Sequence, residues 1–200
     1  MYLAMQEAIK NKHDFYLMIN DDVVFFDRAL EIMLSSYESV KGVCGVVGST
    51  CGRDNTITYG GRNEKSVLLN PSKKLKKCIL ANWNCFLVSN EVISRVGIID
   101  NYYVHGLGDF DYSLRMQAKK IPIYIASDYV GYCEGNTRKG TYHDKEVKRG
   151  TRVKLMFNRK NLPILSRGYY YCKNYSIRGI KLFFWPYIKC LYCIMRKRDF

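Results

Sequence analysis

The chain has 200 residues, enough for one domain with a hydrophobic core and a tail. Its 48% hydrophobic and 25% charged residues exclude a disordered chain, and no apolar run approaches the roughly 18–20 residues of a spanning helix. A formal charge of +14 admits three kinds of partner: nucleic acid, an anionic membrane surface or phosphorylated substrates.

"MYLAMQEAIKNKHDF" lacks the basic-then-apolar order of a signal peptide. Residues 2–9 carry apolar positions near 3.6 spacing and predict a helix. Phe15–Ile19 is a continuous apolar run, expected as a central strand covered on both faces. It ends in Asn20-Asp21-Asp22. "DRALEIMLSSYESV" predicts a helix with Asp27 as its N-cap and Leu30, Met33, Leu34 and Tyr37 on one face. "GVCGVVGS" reads as a second buried strand, and this alternation implies a parallel α/β sheet. Residues 51–77, rich in Gly, Asn, Lys and Thr, read as a hairpin or mobile loop. "NWNCFLVS" is a strand, and Ser89 or Asn90 caps the short helix "EVISRV", ended by Gly97. A helix over 109–120 and a strand at "PIYIAS" follow. Beyond Tyr129 the chain becomes basic, and "KLFFWPYIKCLYCIMRKR" mixes aromatics, aliphatics and cations. The organisation expected is a catalytic domain over 1–136 and a basic, aromatic-rich helical extension over 137–200.

The eight cysteines sit mostly in apolar runs, which fits reduced, buried thiols in a cytoplasmic protein. Cys190 and Cys193 have zinc-like spacing, but nothing nearby completes four ligands.

Two acidic clusters stand out. Asp21 and Asp22 end a strand, where ligands gather in open α/β sheets and where a carboxylate can hold a hard cation against a diphosphate. On this stretch alone, a plain turn is the stronger reading. The second cluster is "HGLGDFDYSLR". Asp109 reads there as a helix cap and as a general base fixed where a glycine-containing loop meets a helix. Asp111 and Arg115 form an i, i+4 pair.

The order strand-NDD, helix, strand, Gly-rich loop, "NWNCFLVSNEVISRVGIID", "GDFDYSLR", "PIYIASDYVGYCEGN" resembles the family 2 glycosyltransferases over residues 2–136. The resemblance implies a GT-A fold, a mixed sheet flanked by helices. It also implies transfer of a sugar, with inversion, from a nucleotide-diphosphate donor to a saccharide or lipid-linked acceptor in cell-surface polysaccharide synthesis. By position it makes Asp22, assisted by Asp21, the ligand of Mn²⁺ or Mg²⁺, with Asn20 in place of the first acid of that motif. Asp109 falls on the base and Asp111 on a second acid partnered by Arg115. Gly108 replaces the acid that precedes the base in the family. Trp83 and Asn84 fall on the strand lining the acceptor pocket, where an indole could stack on a sugar or fill the core. The position where some relatives place a late histidine ligand is filled by Cys133 or Glu134. His143 and His105 read as polar-loop residues.

Relatives begin with further β–α units that bind the base and ribose. Their absence leads us to expect an open strand edge, lost neighbours for the first helix and strand, and weak or absent activity of this chain alone. The rival expectation is a catalytically silent membrane-surface or interaction module. The tail, 180–198, is expected to contact the inner face of the cell membrane. No nucleic-acid-binding motif is present.

Overall fold

The computed structural model describes residues 1–103, 106–158 and 161–196. The chain forms two compact units: Met1–Asn101 with Gly108–Gly135, and Tyr102–Leu107 with Asn136–Phe200. His105 lies outside the described residues.

The first unit opens with α1 (Tyr2–Ala8), followed by a 3-10 turn, Ile9–Asn11, and Lys12 in the left-handed region. Then come β1 (Phe15–Ile19), β2 (Val24–Phe25), α2 (Ala29–Glu38) and β3 (Gly45–Cys51). The glycine-rich stretch holds β4 (Ile57–Tyr59) and β5 (Gly61–Arg62). It leads to β6 (Lys77–Cys78), β7 (Leu80–Ala81), β8 (Cys85–Ser89), α3 (Asn90–Val96), α4 (Gly108–Ala118) and β9 (Ile123–Tyr132).

The main sheet runs β1-β8-β3-β9-β2, with β4 beside β3 and β6 beside β9. Among the described residues only β3 and β9 pair in parallel; β8 runs antiparallel to both β1 and β3. The architecture is therefore a mixed sheet flanked by helices, which corrects the wholly parallel sheet expected from helix–strand alternation. β5 and β7 form a separate two-stranded ribbon.

Alternation along each strand sorts the core into two layers. Val47, Phe86, Val88, Ile123 and Ile125 face Met5 of α1, Val92 and Ile93 of α3, and Tyr112 and Met116 of α4. Val46, Cys85, Leu87, Ala126 and Val130 face Ala29 and Met33 of α2. Among the described residues a single helix covers that second face, and it covers the end strand β1 only in part, where Tyr37 meets Phe15 with ring centroids 4.9 Å apart. Phe15, Leu17 and Ile19 of β1 are accordingly 37, 39 and 47% exposed, while Tyr16 and Met18 on the other face are buried. β1 is thus an edge strand with one open face, not the doubly covered central strand expected. An apolar run alone cannot distinguish the two.

Asp27 caps nothing. α2 is preceded by Arg28, which instead pairs with Glu31, its guanidinium donating to Glu31 Oε1 at 2.8 Å. β9 runs ten residues, well past "PIYIAS", because its second half pairs with β2 and with the end of β3.

The second unit holds α5 (Arg149–Met156) and α6 (Ile164–Arg196), the latter broken at Ser176 (φ 47°, ψ −136°). The two halves of α6 fold back on each other, and Gly179 lies so close to the Tyr171 carbonyl that a Cβ would collide with it. Tyr142, Met156, Leu162, Tyr187 and Cys190 form this unit's core. The buried Arg152 ties it together, its Nε donating to the Tyr142 carbonyl at 2.8 Å. Seven of the eight cysteines are buried, and all are free thiols. Among the described residues no helix is long and apolar enough to cross a membrane.

Candidate active site

Asp21 and Asp22 occupy an exposed turn between β1 and β2. The turn is held from two sides. Asn20 continues the β1–β8 pairing, its backbone N–H donating to the Asn84 carbonyl at 3.3 Å. On the other side β2 pairs with the end of β9 through Val24–Tyr132 and Phe25–Gly131. Gly131 permits this approach, because a Cβ there would lie 2.5 Å from the Val24 carbonyl oxygen.

Asp22 lines a cleft of about 490 Å³ together with Val24, Arg53, Tyr132, Cys133 and Glu134. The rim carries two carboxylates and one guanidinium. Glu134 is oriented by the Arg53 backbone N–H, which donates to Oε1 at 3.2 Å. Cys133 sits against Asp22. Burial raises the thiol's pKa, and the neighbouring Asp22 carboxylate raises it further. The Asn84 side-chain amide reaches the same sulfur, Nδ2 to Sγ at 3.6 Å.

Asp109 lies in the first turn of α4. It is inside the helix and not its cap, and its Oδ1 accepts from the adjacent Phe110 N–H at 2.9 Å. The Asn82 amide reaches Oδ2 at 3.5 Å. Burial raises the Asp109 carboxyl to about 6, against hydrogen bonds from Phe110, Asn82 and Trp83 that lower it. Arg62 of β5 is close enough for its charge to feel Asp109. A buried serine fixes the backbone here. The Ala81 N–H donates to Ser113 Oγ at 3.1 Å, and Ser113 Oγ donates to the Asp109 carbonyl at 2.8 Å. The start of α4 is thereby pinned to β7.

The segment Asn82-Trp83-Asn84 between β7 and β8 connects the two acids. Asn82 reaches Asp109, and Asn84 reaches the cysteine beside Asp22. Their Cα atoms are two residues apart, at most roughly 7 Å. The same short piece of chain therefore reaches Asp109 at one end and, at the other, the cysteine that sits against Asp22.

Other expected site residues lie elsewhere. Trp83 is 5% exposed and packs on Phe86 and Tyr112, with ring centroids 5.8 and 5.0 Å away, so its indole fills the core and offers no plane to a sugar. Asp111 is fully buried and accepts from Arg115 Nε at 3.1 Å. Arg115 also donates to the Val96 and Ile98 carbonyls at 2.8 and 2.9 Å. This pair locks the end of α3 to α4. His143 stacks on Tyr142, centroids 4.0 Å apart, in the second unit. Sequence reasoning missed Asn82, Arg53, Arg62 and Ser113. The only written sign of the first is the Asn-Trp-Asn repeat.

Among the described residues no three His, Cys, Asp or Glu side chains gather as a metal cage. The oxygen donors Asp22 and Glu134 on one cleft nevertheless fit Mg²⁺ or Mn²⁺. Such an ion is commonly held by one or two carboxylates plus substrate phosphates, not by a closed protein site.

No protein-family model matches the sequence, and no curated protein matches it. Among solved structures the chain is similar to A197 from STIV, at 12% identity and a TM-score of 0.44. The similarity covers 68% of this chain and 64% of that one, so the chain spans less than two thirds of that protein's length.

Proposed function

We propose that the first unit is a glycosyltransferase domain of the GT-A, family 2 kind. It would transfer a sugar from a nucleotide-diphosphate donor to a saccharide or lipid-linked acceptor with inversion. The observation that carries this reading is the Asn82-Trp83-Asn84 segment touching both Asp109 and the neighbourhood of Asp22.

Asp22 and Glu134 would hold a divalent ion beside the donor diphosphate, and Arg53 on the same rim would add positive charge there. When bound, Mn²⁺ or Mg²⁺ offsets the charge that builds on the departing nucleoside diphosphate. Asp109 takes the proton from the acceptor hydroxyl, whose oxygen attacks the anomeric carbon opposite the leaving group. A carboxylate titrating at about 6 suits this task, being ionised at neutral pH yet more basic than a solvated aspartate. Asn82 positions it, and Ser113 keeps its helix in place.

The test is to incubate the full chain with UDP- and dTDP-sugars and Mn²⁺ and to measure released nucleoside diphosphate, with and without added acceptor saccharides. Release that needs Mn²⁺ and disappears in Asp109→Asn supports transfer. A chain that releases nothing from any donor is instead the silent module.

A further inference from the structure

Residues 136–200 hold 17 of the 32 Lys and Arg but 3 of the 18 Asp and Glu, so the whole formal charge of +14 lies in that stretch. From 147 to 196 there is no acidic residue at all.

The second half of α6 is apolar on two faces. Gly179, Tyr187, Cys190 and Ile194 recur at helical spacing and are buried within the unit. Ile177, Ile180, Phe184, Trp185, Ile188 and Met195 recur at the same spacing on another face and are exposed, Ile177 by 84% and Trp185 by 58%. Ile177, Ile180, Phe184, Trp185 and Ile188 line one open apolar surface with Lys181. A helix in a water-soluble protein ordinarily presents one apolar face, to its core. Arg178, Lys189 and Arg196 are exposed and lie in a row along one border of the outer stripe, by helical spacing.

We infer that this outer face docks on an anionic lipid bilayer, the helix lying in the interface with its stripe among the acyl chains and its cations at the headgroups. Aliphatic and aromatic side chains bordered by Lys and Arg are the composition such helices share. Charge selects the bilayer over a second copy of this chain. Two such faces would bring their rows of cations together, and the stretch has no carboxylate to pair with them. Indole and phenyl groups favour the interfacial region, where basic residues meet anionic headgroups. This inference is independent of the catalytic reading, because it uses only residues of the second unit.

The experiment is co-sedimentation of the full chain with phosphatidylcholine vesicles and with vesicles containing about a third phosphatidylglycerol, following the emission of Trp185. Trp83 is buried in the first unit and serves as an unchanging background. Binding at least tenfold tighter to the anionic vesicles, a blue shift of emission, and weakening by salt are expected. A Phe184→Ser, Trp185→Ser, Ile188→Ser chain should lose that binding. An Arg178→Gln, Lys181→Gln, Lys189→Gln chain should bind both vesicle types alike. These side chains face outward, so the circular dichroism of each variant is expected to match the parent, and a variant that has unfolded is replaced by Ile180→Ser alone. Absence of vesicle binding overturns the inference. So does binding that persists when the apolar stripe is made polar, which marks a purely electrostatic polyanion binder. A dimer abolished by the serine variants, without vesicle binding, assigns the stripe to a second copy and overturns it too.

Discussion

Asn82 extends its side-chain amide to Asp109 Oδ2 at 3.5 Å, and two residues on, Asn84 extends its own to Cys133 beside Asp22 at 3.6 Å. One tripeptide in the turn between β7 and β8 thus reaches Asp109 and the cysteine beside Asp22, while the tryptophan between the two amides is buried in the core. The strands of the sheet bring the Asp22 turn and the Asp109 helix to this segment from opposite directions in sequence.

Replacing Asp109 by Asn removes the proposed base and a half-buried charge together. Activity is expected to fall about 10²–10⁴-fold. Stability moves the other way. The folded carboxyl titrates at about 6 against an ordinary 3.8, so the folded state holds the extra proton between those values. Stability therefore falls as pH rises through that window and stays lower above it. Asp109→Asn is expected to gain roughly 1–3 kcal/mol at pH 7 and nothing at pH 3, as read by urea denaturation.

The same titration sets the pH profile of turnover. The proton must be absent for Asp109 to act, so kcat/KM is expected to drop tenfold per pH unit below about 6. A profile flat from pH 5 to 8 would remove Asp109 from the role of base.

Asp111→Ala separates the two acids of the same helix. It leaves Arg115, already engaged with the Val96 and Ile98 carbonyls, without its carboxylate. Breaking a buried pair from one side costs about 3–5 kcal/mol, so the variant is expected to lose stability where Asp109→Asn gains it. Thermal unfolding of the two side by side checks this.

Gly131→Val tests the support of the Asp22 turn without touching a carboxylate. Its Cβ meets the Val24 carbonyl and Phe25 Cα at 2.5 and 3.0 Å, pushing β2 from β9. Overpacking of this kind costs about 1–3 kcal/mol, and nucleotide binding is expected to weaken with it.

The elements with strong local pattern were legible in the sequence. α1, α3 and the buried strand β3 lie where periodicity puts them, although Ser89 precedes α3 without a side-chain capping bond. The edge position of β1 was not legible, since whether an apolar strand is covered depends on a helix elsewhere in the chain. The parallel sheet was read in part: β1, β3 and β9 do run the same way, but alternation of helix and strand does not show that β8 inserts antiparallel between β1 and β3. Of the site, Asp22 and Asp109 were visible as acids at element ends. The Asp111–Arg115 pair was legible from its i, i+4 spacing, but spacing cannot show that the carboxylate is fully buried. Asn82, Arg53 and Arg62 escaped notice because amides and arginines in loops carry no pattern until the fold brings them to an acid.

The central claim is that Asp22 and Asp109 serve one metal-assisted site with divided labour. Isothermal titration of UDP into the full chain with Mn²⁺, repeated with Asp22→Asn and Asp109→Asn, tests it most directly. Asp22 is exposed, so its loss should leave stability within about 0.5 kcal/mol. The account predicts Mn²⁺-dependent binding, at least about tenfold weaker in Asp22→Asn and retained in Asp109→Asn. Absence of binding, binding indifferent to Mn²⁺, or equal affinity in Asp22→Asn would contradict it.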